Sequence, residues 1–117
     1  MRQERNYHAG LAAETSVLRQ YLAAGYALLA QRFRGDQGEI DLILQRGDDV
    51  IFVEVKKSRT FEAAALRLGS RQIARILDTA SEFLGTQPRG QLTPTRFDVA
   101  LVNSVGEVTV LENALAP

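Results

Sequence analysis

The sequence predicts an α/β fold with a mixed five-stranded sheet flanked by helices, in the order α-β-β-β-α-β-β. Three observations predict it. Short runs rich in Val, Ile and Phe are closed by turn residues, as strands are. Two longer segments repeat their apolar residues at helical spacing. The second of these lies between strand-like runs, and a helix that connects two strands usually lays them parallel by a right-handed crossover.

Residues Met1–Tyr7 are polar and charged and are expected to be mobile. His8–Ala24 reads as a helix, with Leu11, Thr15, Leu18 and Leu22 on one stripe and Gly25 as its C-terminal cap. Glu14 borders that stripe, and two readings of it stand. It is a carboxylate at the edge of a core, reaching water or an arginine, or it leans into a functional cleft. Tyr26–Phe33 reads as a strand or an extension of the helix, and Gly25 before it with Arg34-Gly35-Asp36 after it favour a short strand.

Two strands come next, Glu39–Gln45 and Asp49–Lys57, joined at Gly47-Asp48-Asp49. The second is the most apolar run of the chain and is expected at the centre of the sheet, covered on both faces. Lys57–Arg67 is less regular. A helix starts near Ser70, with Ile73, Ile76, Leu77, Ala80, Phe83 and Leu84 on one face, and Arg71 and Arg75 on another. Gly85–Pro94 reads as a loop. Phe97–Asn103 and Glu107–Glu112 complete the sheet around Ser104-Val105-Gly106, and Asn113–Pro117 is a short tail.

Composition bounds the chemistry. At 117 residues the chain makes one domain, residues 1–117, without room for a second. The absence of cysteine excludes thiolate metal sites, thiol catalysis and disulfides, and a single histidine excludes multi-histidine zinc sites. His8 itself reads as a surface residue. No apolar run approaches a membrane span and no signal region follows Met1, so a cytoplasmic protein with no membrane partner is expected. The formal net charge is zero, so bulk charge does not mark a strongly basic nucleic-acid binder. Acidic metal ligands would offset clustered arginines in that sum.

The centre of the chain is Gly38 to Lys56. Alternate residues of a strand share a face, so Glu39 pairs with Asp41 in one run and Glu54 with Lys56 in the next. A hairpin of these runs gathers three carboxylates and an ammonium in one cleft. Glu54, inside an apolar strand, needs a partner. Magnesium takes oxygen ligands and a few carboxylates plus water. Asp41 and Glu54 are suitable ligands, the carbonyl of Val55 is a third, and Lys56 is placed to orient a water or steady charge on a phosphate. Alternating acidic and apolar residues are also common on half-exposed sheets, so the spacing by itself is a weak signal.

The stretch Gly38-Glu39-Ile40-Asp41-Leu42-Ile43, with Phe52-Val53-Glu54-Val55-Lys56, resembles the signature of the YraN-like family of uncharacterised bacterial proteins. The similarity covers nearly the whole chain. Glu14 before Tyr21-Leu22, then Arg71-Gln72 with Arg75, Ala80 and Phe83-Leu84, and Arg96-Phe97-Asp98-Val99 all resemble that family. The family is similar to the PD-(D/E)xK nucleases, most of all the Holliday-junction resolvases. The resemblance implies a restriction-endonuclease-like core and a magnesium- or manganese-dependent endonuclease acting on DNA, including branched or recombination intermediates.

Residue by residue, the resemblance makes Asp41 and Glu54 metal ligands and Lys56 the catalytic lysine. Glu14 becomes a further acidic site residue, Gln72 a helix residue facing the cleft, and Glu39 a carboxylate supporting the ligands from behind. Lys57, Arg59, Arg71 and Arg75 become phosphate contacts. Two positions depart from the family pattern: Ser58 stands where a basic residue is usual, and Arg71 where a lysine is. A homodimer is an expectation that no residue of the chain supports and that rests on the resemblance alone, since cutting two strands of a junction takes two sites. The competing expectation is a non-catalytic nucleic-acid-binding or protein-interaction module on the same fold. A weaker one is a structural partner protein whose carboxylates serve as internal acceptors.

Overall fold

The apolar run Asp49–Lys57 is the middle strand, β3, of a five-stranded sheet ordered β1-β2-β3-β4-β5 in a computed structural model that describes residues 2–115 and side chains from residue 10 onward. β1 is Ala27–Arg34, β2 Glu39–Arg46, β4 Thr95–Val102 and β5 Val108–Leu111. β1, β2 and β3 form an antiparallel meander, β3 and β4 run parallel, and β5 returns antiparallel along β4. The mixed sheet and the order of its elements are those expected. The side chain of His8, Met1 and the end of the tail at residues 116–117 lie outside the described residues.

Helix α1, Arg2–Ala23, covers one face of the sheet. Its backbone begins at Arg2, within the segment expected from sequence to be mobile. Its buried stripe is Ala13, Glu14, Val17 and Tyr21, not the expected Leu11-Thr15-Leu18-Leu22 row. Thr15 is exposed and Leu22 is 47% exposed. Buried hydrogen bonding decides between the two faces. The Tyr21 hydroxyl donates to Asp98 Oδ2 of β4 at 2.7 Å, and only the Tyr21 face lets it do so. Ala13, Val17 and Tyr21 pack on Leu42, Leu44, Ile51, Val53, Ala100 and Val102.

The other face is covered by α2 (Phe61–Ala65) and α3 (Ser70–Leu84). α2 falls in the stretch read as irregular. Thr60 caps it by accepting the Ala63 N–H at 3.1 Å, and Ala64 seats it against Val99 and Leu101. α3 buries Ile76, Ala80, Phe83 and Leu84 on Ile40, Ile43, Val50 and Phe52. Phe52 stacks on Phe97 at 5.1 Å and meets the edge of Phe83 at 6.0 Å. Leu77, expected on this face, is 40% exposed. Thr79 is buried there instead, its hydroxyl donating to the Arg75 carbonyl at 2.7 Å. A short 3₁₀ turn, Gly90–Leu92, interrupts the expected loop before β4. No helix among the described residues is long and apolar enough to cross a membrane.

Candidate metal centre and its cleft

The site exists because β2 and β3 part company. Their ladder runs from Arg46↔Asp49 to Leu42↔Val53 and ends there. One step further, Asp41 would face Glu54, and like charges directly opposite one another destabilise a ladder. β3 continues past this point held only by β4, through Glu54↔Val99 to Lys57↔Val102. The Val55 N–H, with no strand to bond on the β2 side, donates to Asp41 Oδ2 at 2.7 Å. A side chain thereby takes the place of a ladder bond and fixes the Asp41 carboxylate at the opening.

Glu54 is buried beside it, 5% exposed. Its Oε1 lies 3.9 Å from Lys56 Nζ, and its Oε2 finds no hydrogen-bond donor among the described residues. Burial pushes the Glu54 carboxyl far above the ordinary carboxylate range. The adjoining Asp41 carboxylate pushes it further, while Lys56 opposes. An acceptor next to another acceptor is satisfied only by a proton or a cation.

Glu14 enters from α1. Arg32 of β1 grips it side-on, Nη2 to Oε2 at 3.0 Å and Nε to Oε1 at 3.3 Å. Burial raises the Glu14 carboxyl, Arg32 pulls it back, and the charges of Asp41 and Glu39 raise it again. Arg32 holds this position with φ of +50°, a left-handed backbone that costs a non-glycine residue roughly 1–2 kcal/mol. Glu39, at the start of β2, pairs with Arg34 Nη2 at 3.3 Å on the exposed rim. The outer carboxylates are thus each drawn to an arginine. Among the described residues no three acidic or histidine side chains are gathered tightly enough to form a complete ligand set.

Two clefts meet at Asp41, Val55 and Lys56. One, of about 460 Å³, lies under α1 and is walled by Glu14, Lys57 and Arg67. The other, of about 730 Å³, lies along α3 and is walled by Glu39, Glu54, Arg71, Gln72 and Arg75. Its far wall is the turn between β1 and β2. Glu82 of α3 anchors that turn by accepting the Asp36 N–H at 2.9 Å, and a Cβ on Gly35 would run into the same carboxylate.

The structure therefore brings together Glu14, Asp41, Glu54, Val55 and Lys56, with Glu39, Gln72, Lys57, Arg71 and Arg75 around them. Arg59 does not join them. It is exposed, lines neither cleft, and its carbonyl accepts the Ser104 N–H at 3.3 Å. Arg67, just after α2, stands where a cleft cation was expected of Arg59. The signal that locates it is Thr60 followed by Phe61-Glu62-Ala63-Ala64-Ala65, a capped helical turn that swings Arg67 back toward β3.

A second polar cluster lies away from the clefts. Asp98, 1% exposed, accepts from the Tyr21 hydroxyl, from Arg96 Nε and Nη2 at 2.8 Å each, and from the Asn113 N–H at 3.0 Å. Arg96 also donates to the Tyr26 hydroxyl at 2.8 Å. This network ties α1, β4 and the turn after β5 together. It gives the Arg96-Phe97-Asp98-Val99 motif a structural role.

Fold and site together define a mixed α/β domain whose sheet opens between two central strands onto a cleft with two carboxylates and a lysine at its centre and basic side chains along its walls. The model of the uncharacterised protein family UPF0102 matches residues 13–102, and the chain belongs to that family. A UPF0102 protein of Roseobacter denitrificans is 56% identical, covering 94% of this chain and 85% of its own length. One of Ruegeria pomeroyi is 57% identical over 94% of this chain and 89% of its own. One of Cereibacter sphaeroides is 56% identical over 97% of both chains.

Proposed function

We propose that this chain is a metal-dependent nuclease with a restriction-endonuclease-like core that hydrolyses phosphodiester bonds of DNA, branched or recombination intermediates included. The observation that carries this reading is the buried Glu54 oxygen without a donor, beside Asp41, where the two clefts meet. Hard oxygen donors in that position fit Mg²⁺ or Mn²⁺, which bind through one or two carboxylates and keep several waters. Asp41, Glu54 and the Val55 carbonyl would hold the ion. When bound, such an ion neutralises phosphate charge and acidifies a water.

The remaining work falls to the chain. Asp41 is held in place by the Val55 N–H, so its carboxylate is positioned before substrate arrives. Glu54 would serve as the second anionic ligand once deprotonated. Lys56, its side chain 15% exposed and its Nζ 3.9 Å from Glu54 Oε1, is placed to orient the attacking water and balance charge on the phosphate. Gln72 and Arg75, lining the α3 cleft, hold the substrate backbone against the site.

A non-catalytic binding module is the second reading. The pairing of Glu14 with Arg32 and of Glu39 with Arg34 favours it, because it leaves fewer carboxylates for a metal. Incubation of forked, four-way and linear DNA with Mn²⁺ separates the two. Cleavage that falls at least ~100-fold in Lys56→Ala supports the nuclease. Binding without cutting, alike in wild type and Lys56→Ala, supports the module.

A further inference from the structure

The walls of the two clefts carry charge that the chain as a whole does not. Lys57 and Arg67 stand on the α1 side, and Arg71 and Arg75 on the α3 side. None of these four makes an ion pair among the described residues, in a chain of formal net charge zero. Of the acids lining the clefts, Glu14 is paired with Arg32, Glu39 with Arg34 and Glu54 with Lys56, which leaves Asp41, shared by both clefts, against two cations on each side. Each cleft therefore offers surplus positive charge, and the two are continuous through Asp41, Val55 and Lys56.

Arg67 is built into this wall. Its Nη1 donates to the Lys57 carbonyl at 2.7 Å, which pins an otherwise exposed guanidinium to the end of β3. A guanidinium has five N–H donors in a rigid fork, and this bond uses one. The rest suit a phosphate.

Resting on the nuclease reading above, we infer that one DNA strand runs through both clefts and crosses at Lys56. Arg67 then grips a backbone phosphate on the α1 side, opposite those held by Arg71 and Arg75. The strand is a polyanion that matches the surplus charge on both sides. A ligand confined to one cleft would leave the other pair of cations unanswered.

Salt dependence of binding reads this directly. A fluorescein-labelled duplex is titrated with protein in Ca²⁺ at several KCl concentrations and followed by anisotropy. The slope of log K against log salt falls by about 0.9 for each duplex phosphate no longer neutralised, or about 0.7 for a single strand. Arg67→Ala and Arg71→Ala should each lower the slope by about that amount, with weaker binding to every sequence. Arg67→Lys should largely restore it, and Arg89→Ala, outside both clefts, should leave it unchanged. Urea midpoints verify that the variants are folded. If Arg67→Ala keeps the wild-type slope while Arg71→Ala loses it, DNA occupies the α3 cleft alone and the inference is overturned, with the nuclease reading intact. If wild type shows no salt-dependent DNA binding, both fall together.

Discussion

Asp41 accepts the amide hydrogen of Val55 at 2.7 Å, so a carboxylate completes the hydrogen bonding of β3 where β2 has turned away. The same bond keeps Asp41 next to Glu54, where burial and the Asp41 charge disfavour ionisation of Glu54. Substitutions at this point should separate stability from metal binding.

Asp41→Asn keeps an oxygen for the Val55 N–H and removes the charge that Glu54 would face whenever it ionises. Its unfolding free energy should equal or exceed that of wild type. Asp41→Ala strands the N–H and should cost about 1–3 kcal/mol. Urea denaturation of the two variants without metal provides the comparison, and equal losses would count against the assigned hydrogen bond.

The raised Glu54 and Glu14 carboxyls make stability depend on pH. The folded chain keeps protons that the unfolded chain releases above the ordinary carboxylate value of 4.5. Their contribution is therefore complete below that value and is lost as pH rises toward the raised ones. The slope is at most about 1.4 kcal/mol per pH unit for each group. Glu54→Gln should flatten the decline between about pH 5 and about pH 8. A wild-type protein whose stability rises across that window would contradict the burial of Glu54 as a neutral acid.

Glu14 and Arg32 should prove interdependent. Arg32→Met leaves the Glu14 carboxylate buried without its partner and should destabilise by about 1–3 kcal/mol. Adding Glu14→Gln should recover much of that loss, giving a clear interaction energy in a double-mutant cycle. Additive losses would mean that the pair is solvated and idle.

Asp98 is predicted to matter to folding and not to the metal. Four donors converge on its buried carboxylate, and Asp98→Ala should cost about 3–5 kcal/mol. Tyr21→Phe, which removes one of those donors, should cost about 1–2 kcal/mol. Manganese affinity of folded Tyr21→Phe should match wild type.

Much of the fold and site is legible in the residues, and the exceptions share a cause. A continuous apolar run between turn residues locates β3, because Val50–Val53 are buried on both faces. Helical spacing brings Glu14 to the edge of the core. The leucine row of α1 misleads because apolar spacing carries no sign of a distant hydrogen bond. Tyr21 selects the buried face through Asp98, 77 residues away, a bond no local pattern encodes. Thr79 is buried while Leu77 is exposed: the Thr79 hydroxyl donates to the Arg75 carbonyl of its own helix, which lets a polar residue sit in the core. Arg67 takes the place expected of Arg59 because α2, at five residues, is too short to show periodicity. The parting of β2 from β3 is equally hidden, since it depends on where a ladder stops.

The central claim is that Asp41 and Glu54 hold a divalent cation, and calorimetric titration with Mn²⁺ tests it most directly. A neutral Glu54 must release its proton to become a ligand, so the heat should depend on the ionisation enthalpy of the buffer. Wild type is predicted to bind with buffer-dependent heat, and Asp41→Asn, though folded, to bind little or none. No binding by wild type, or the same isotherm in Asp41→Asn, would contradict that claim.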